Sequence, residues 1–231
     1  MIAIITTTFF CAEASELKTL KPSISQTQDV SKENIDRWQQ NELALRKGKG
    51  IAKENYAKGF SETSEGPWST MTLGDSWYDE AQLYKQTASS ALPTTKTINY
   101  SAQSLHDSDI RTAWIESKDD YGIGESVSFF FKPNSPRVTQ ILIWNGYQKS
   151  PELYEKNSRP KMLELHINGI PQYRLQLEDT RALQTFSIDP IRSEEEGVDL
   201  ELKLKIIEVY QGSKWKDTAI SEINFNGLDV Y

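Results

Sequence analysis

Residues 106–114, read HDSDIRTAW, bring two carboxylates, a threonine hydroxyl and an indole within nine positions. Asp107 and Asp109 flank a turn-former, Ser108, and Thr112 follows at a spacing that folds its hydroxyl back toward the acids. Such a loop can gather hard oxygen ligands around one cation. It equally suits an Asx-turn leading into a strand at Trp114, and the loop alone does not separate the two readings. Far downstream, Glu222 lies on the polar phase between Ile220 and Ile223 in DTAISEI, residues 217–223. If the first and last strands of a sheet lie side by side, Glu222 completes an oxygen cluster with Asp107, Asp109 and Thr112. Backbone carbonyls would join them, with Leu105 and Ala219 as the candidates. Many irregular oxygen ligands suit calcium better than magnesium. Paired carboxylates can also perform acid–base hydrolysis, but two acids this close on one loop do not flank a scissile bond. No Ser/His/Asp or Cys/His set accompanies them, so no enzyme is expected.

These residues need strands to position them, and the pattern supplies strands. Val127, Phe129 and Phe131 alternate with Ser126, Ser128 and Phe130, and VTQILIW (138–144) is a continuous β-type run. Leu163, Leu165 and Ile167 alternate with Glu164 and His166 before the hairpin signal Asn168-Gly169, and Tyr173, Leu175 and Leu177 follow it. Leu200, Leu202, Leu204 and Ile206 alternate with Glu201, Lys203 and Lys205. Period two over many short segments predicts an all-β fold, an antiparallel β-sandwich of jelly-roll type. His166 reads as a surface residue on the polar side of its strand.

Before about residue 95 the chain changes character. Residues 1–14 hold an apolar run from Met1 to Phe10 followed by Ala12-Glu13-Ala14, which reads as a signal peptide with an A-x-A cleavage site. Cys11 offers a second route, lipid attachment after cleavage. Either route predicts export, to the periplasm, the cell surface or the medium. Residues 15–94 read as a tether, a short helix from Ser31 to about Lys47 with Ser31 as N-cap, and an aromatic linker carrying Tyr56, Phe60, Trp68, Trp77, Tyr78 and Tyr84. Residues 95–231 form the predicted sandwich domain.

The formal net charge of −7 and the lack of a basic run argue against a nucleic-acid partner. One cysteine and two histidines exclude an intrachain disulfide and disfavour a transition-metal site. No stretch is apolar and long enough for a transmembrane helix. A monomer is expected.

HDSDIRTAW with AISEI downstream resembles the discoidin, or coagulation-factor C-type, domain and its galactose-binding-like relatives. There an Asp-Gly-Asn/Asp-x-x-Thr-x-Trp loop and a C-terminal Ser-Glu-Ile/Leu commonly hold a structural calcium. Ser108 stands where that pattern has Gly, so a turn at positive φ would be less comfortable here. The strings TAWIE (112–116), GIGE (122–125), WNGYQKS (144–150), KNSRPK (156–161) and VYQGSKWKDTAISEI (209–223) resemble more closely the NADase-type glycan-binding or translocation subfamily, over residues 95–228. That domain is non-catalytic where it is understood, its toxin's enzymatic part being a separate domain after it. The resemblance thus implies a binding module for a glycan or glycoprotein, or alternatively a protein-docking or translocation adaptor using the same loops. Sugar recognition joins ring platforms to planar hydrogen-bonding groups. Tyr147, Lys149, Tyr154, Arg159, Lys214 and Trp215, on the turns after Trp144 and Val209, are the candidate ligand residues. Asn145, Asn157 and Arg159 suit internal bracing as well as ligand contact.

Overall fold

The computed structural model describes residues 16–25, 27–28, 30–46, 66–70, 77 and 81–229. The signal and lipid-attachment sequences therefore lie outside the described residues, as do Tyr56, Phe60 and Tyr78. No helix among the described residues is long and apolar enough to cross a membrane.

The chain forms the expected antiparallel β-sandwich. Its strands are β1 (Lys18–Leu20), β2 (Ser23–Ile24), β3 (Leu83–Ala88), β4 (Trp114–Ile115), β5 (Ser126–Phe131), β6 (Val138–Asn145), β7 (Arg159–Ile167), β8 (Ile170–Gln176), β9 (Gln184–Ile191), β10 (Leu200–Tyr210) and β11 (Ala219–Gly227). Six of them order as β1-β8-β7-β10-β5-β3 and five as β2-β9-β6-β11-β4. Among the named strand pairs of the described residues, β1–β8 is parallel and the others are antiparallel. Helices α1 (Lys32–Arg46) and α2 (Pro151–Lys156) and a 3-10 turn at Ala102–Leu105 accompany the sheets among the described residues.

Inward-facing residues of the two sheets meet in one core. Phe129 and Phe131 of β5 meet Phe225 of β11 edge to face, with ring centroids 4.9 and 5.2 Å apart. Leu163, Leu165, Leu202, Leu204 and Ile206 fill the same layer with no exposure above 1%. Asn168 and Gly169, at φ 48° and 80°, make the β7–β8 hairpin that the sequence signals. Ser31 caps α1 as expected, its Oγ accepting from the Asn34 amide at 3.3 Å.

The domain begins earlier than residue 95. β3 pairs with β5, and β1 and β2 each add an edge strand. These segments are short and polar and read as tether and linker, because edge strands need few apolar residues. The continuous run in β6 has a matching cause. Val138, Ile141 and Ile143 enter the main core, while Leu142 and Trp144 on the other face are buried with Val30, Ile110 and Leu183. A strand covered on both faces has no polar phase.

Candidate functional site

β11 runs between β6 and β4, which brings the last strand beside the loop that precedes β4. The acid loop thus meets Glu222, as the sequence predicts. Ser108 adopts φ 63° despite its side chain, and its amide donates to Glu222 Oε1 at 3.0 Å. The Asx-turn is also present, with the Asp109 amide donating to Asp107 Oδ1 at 3.1 Å. The turn and an oxygen cluster coexist in one loop.

Thr112 sits at the centre of that cluster. Its Oγ1 lies 2.8 and 3.0 Å from the Asp107 carboxylate oxygens, 3.0 Å from the Asp109 carbonyl and 3.4 Å from the Ser104 carbonyl. One hydroxyl proton satisfies only one of these acceptors. Glu222 is fully buried, and its Oε2 has no hydrogen-bond partner among the described residues. Burial, and behind it the Asp107 carboxylate, pushes the Glu222 carboxyl up from 4.5 to about 8. Burial also raises Asp107. Surplus acceptors beside an orphaned buried carboxylate fit a hard cation.

Two expected ligands take other roles, and a third stands apart. The Asp109 carboxylate is held by Arg111, whose Nε donates to Oδ1 at 2.8 Å and whose Nη2 sits 2.5 Å from Oδ2; Asp109 offers the cluster its carbonyl instead. The other carbonyl facing Thr112 belongs to Ser104, one residue before Leu105, since the 3-10 turn rotates successive carbonyls apart. Ala219 pairs with Ile115 in the β4–β11 ladder and packs with Tyr147 in a separate apolar cluster. Among the described residues, no three His, Cys, Asp or Glu side chains form a metal-binding group, so carbonyls and hydroxyls carry much of the cluster.

The candidate ligand loops divide sharply. Tyr147 was expected at the surface but is 5% exposed, packed among Ala113, Ile115 and Ala219, and burial pushes its hydroxyl up to about 12. Tyr154 is 6% exposed and donates to Asp179 Oδ1 at 2.9 Å. Arg159, 8% exposed, closes a two-pronged bridge to Asp179 at 2.7 and 2.6 Å. Against its burial, hydrogen bonds from Arg159 and Tyr154 hold Asp179 below the usual carboxylate range. Arg159 also stacks on the Tyr154 ring, 4.6 Å from its centroid. Gly146, at φ +69°, permits this packing, because a Cβ there would come within 2.7 Å of the Tyr154 ring.

Asn145 donates to the Pro160 carbonyl at 2.8 Å, Asn157 to the Leu153 carbonyl at 2.9 Å, and the Gln148 carbonyl accepts from Arg181 at 3.0 Å. The WNGYQKS and KNSRPK elements therefore brace each other, the bracing alternative for Asn145, Asn157 and Arg159. A loop tyrosine carries no sequence mark of burial; the signal for this network is the acid pair Glu178-Asp179 between β8 and β9, of which Asp179 takes the bridge.

The remaining candidates stay accessible. Lys149 and Lys214 are exposed, and Trp215 is partly so. Two ammonium groups approach the Trp215 ring, Lys214 Nζ at 4.5 Å and Lys156 Nζ at 5.8 Å from its centroid. The neighbouring Tyr121 ring, also half-buried, carries Lys216 Nζ at 5.8 Å. The loop bearing Trp215 is fixed from below: its Trp215 and Lys214 amides donate to the Lys156 carbonyl, and the Thr218 amide donates to Glu116 Oε1 at 2.9 Å. Glu116 is fully buried and escaped sequence reading, as did Thr70, which reaches Glu222 Oε1 at 3.4 Å from a segment read as linker.

The sequence model described as the NAD glycohydrolase translocation F5/8 type C domain matches residues 77–226. Among curated proteins none matches the sequence. Similar solved structures include the Clostridium perfringens module CpGH89CBM32-5 in complex with GalNAc-β-1,3-galactose, at 16% identity and TM-score 0.46 over 62% of this chain and 94% of that one. CBM32-3 from a family 31 glycoside hydrolase of Clostridium perfringens shows 15% identity and TM-score 0.45, over 65% and 92% of the two chains. The family 32 carbohydrate-binding module of Streptococcus pneumoniae EndoD shows 13% identity and TM-score 0.44, over 64% and 96%.

Proposed function

The chain belongs to the NAD glycohydrolase translocation F5/8 type C domain family, and from that premise we propose that it is an exported, non-catalytic module that binds a glycan. The observation that carries this reading is Trp215, an accessible ring flanked by Lys156 and Lys214 on a loop anchored through Glu116 and Lys156. An indole face takes the C–H face of a sugar, and ammonium groups donate to its hydroxyl or carboxylate oxygens. Tyr121 with Lys216 extends the same surface, and Lys149 adds an exposed donor. Export is supported by the apolar run and A-x-A sequence in residues 1–14.

Calcium, in this reading, is structural. The Asp107 carboxylate, the Thr112 hydroxyl, the Ser104 and Asp109 carbonyls and Glu222 would hold it. Bound there, the ion would supply positive charge between carboxylates that meet no basic side chain among the described residues, and would tie the pre-β4 loop to β11. A carbohydrate array probed with the purified full chain tests the binding role. Retention on a defined set of glycans is expected, and Trp215→Ala removes it. An array without hits, together with a protein partner captured through Trp215, would instead favour the adaptor reading to which the family's translocation label points.

A further inference from the structure

Residues 66–70 cross the acid loop as a short strap. The Ile110 amide donates to the Trp68 carbonyl at 3.1 Å, Ser69 bridges Asp109, and the Thr70 amide donates to the Ser108 carbonyl at 3.2 Å. The Trp68 ring lies on the Arg111 guanidinium, 3.5 Å from its centroid, and meets Trp38 of α1 edge-on at 5.0 Å. Gln28 donates to the Ser69 carbonyl at 3.0 Å, and Val30 is buried beside Trp144 and Leu142. Strap, Val30 and α1 thus make an N-terminal arm over the outer face of the five-stranded sheet.

Most of these contacts are backbone bonds or ring contacts near the surface. One is different. Thr70 is 1% exposed; its Oγ1 donates to the Asn224 amide oxygen at 2.9 Å, the Asn224 amide nitrogen lies 3.3 Å from Glu222 Oε1, and Thr70 Oγ1 itself lies 3.4 Å from that same oxygen. Among the described residues, Glu222 Oε2 has no partner alongside. The arm therefore sends one hydroxyl to the carboxylate that closes the acid cluster.

We propose that Thr70 is a hook: it fixes the N-terminal arm to Glu222, so that arm docking and the state of the acid clasp are linked. The hook rests on these contacts; its link to cation loading rests on the calcium reading above. Linkage is reciprocal, so whatever steadies Glu222 steadies the arm, and the docked arm strengthens cation binding by the same factor.

The test uses the full chain and its Thr70→Val and Thr70→Ser variants, with amide hydrogen exchange mapped by mass spectrometry and calcium affinity measured by calorimetry. In Thr70→Val, exchange in α1 and at Ser69 and Thr70 should quicken about tenfold, the worth of one buried hydrogen bond whose partner is left unsatisfied, while β5, β7 and β10 keep wild-type rates. Calcium affinity should weaken by a similar factor, and Thr70→Ser should restore both. Wild-type arm exchange in Thr70→Val overturns the proposal whatever calcium does. A wild-type chain that takes up no calcium, while Thr70→Val still loosens the arm, removes the clasp reading and leaves the hook supported.

Discussion

Glu222 concentrates the electrostatics of the molecule in one side chain. Its folded carboxyl titrates near 8 rather than 4.5 because it is buried and faces Asp107. A folded value above the unfolded one means that the folded chain holds a proton the unfolded chain has released. The associated stability is full below roughly pH 4.5 and is lost as pH rises toward about 8. In chelator, the melting temperature should therefore fall as pH is raised from about 5 to about 8. Saturating calcium should flatten the slope, and Glu222→Gln in chelator should lack it; an unchanged slope in Glu222→Gln would assign it to other groups. Asp179 gives a second residue-scale prediction. Asp179→Asn leaves the Arg159 guanidinium without its carboxylate, but Asp179 is 41% exposed and water screens the pair. We expect a loss of about 1–2 kcal/mol in denaturant unfolding, short of the 3–5 kcal/mol typical of a fully buried pair.

At the scale of elements, the loop between β4 and β5 depends on Gly122. It holds φ +66°, and a Cβ there would fall 2.5 Å from the Glu116 side chain, which receives the Lys118 and Thr218 amides. Gly122→Ala should cost roughly 1–3 kcal/mol through backbone strain and displacement of Glu116, read as a lowered urea midpoint. Much of this layer was legible in sequence. Alternation at Val127–Phe131 and Leu200–Ile206 marks strands half-buried by one core, and Asn168-Gly169 marks the β7–β8 hairpin. β9 is weakly marked in sequence although Phe186 and Ile188 alternate with Ser187 and Asp189, because Pro190 falls near its end. β3 was hidden for another reason: Leu83-Tyr84-Lys85-Gln86 lies on a sheet edge and needs no apolar period. The clasp was half legible. Asp107, Thr112 and Glu222 follow from spacing and strand adjacency, whereas the use of Asp109 through its carbonyl follows from where Arg111 points, which spacing does not record. Tyr147 and Tyr154 were misplaced because their burial depends on Gly146 and Asp179, contacts made only after folding.

For the whole molecule, the division of labour is between a braced interior and an accessible rim. The Ser108–Glu222 hydrogen bond, the Arg159–Asp179 bridge and the N-terminal arm hold loops in place, while Trp215 and the lysines near it stay accessible, where the proposed glycan would meet them. Trp215→Ala should therefore leave the melting temperature within about a degree of wild type, since a partly exposed ring contributes little to the core. A shallow single site of this kind gives modest affinity, so dense presentation of the glycan should raise apparent binding well above that of the free sugar. The most direct measurement is a calorimetric titration of the strongest array glycan into the wild-type chain, Trp215→Ala and Tyr147→Phe. The account predicts at least roughly tenfold weaker binding for Trp215→Ala, from the lost stacking surface, and wild-type binding for the buried Tyr147→Phe. Equal affinity in the wild type and Trp215→Ala would contradict it.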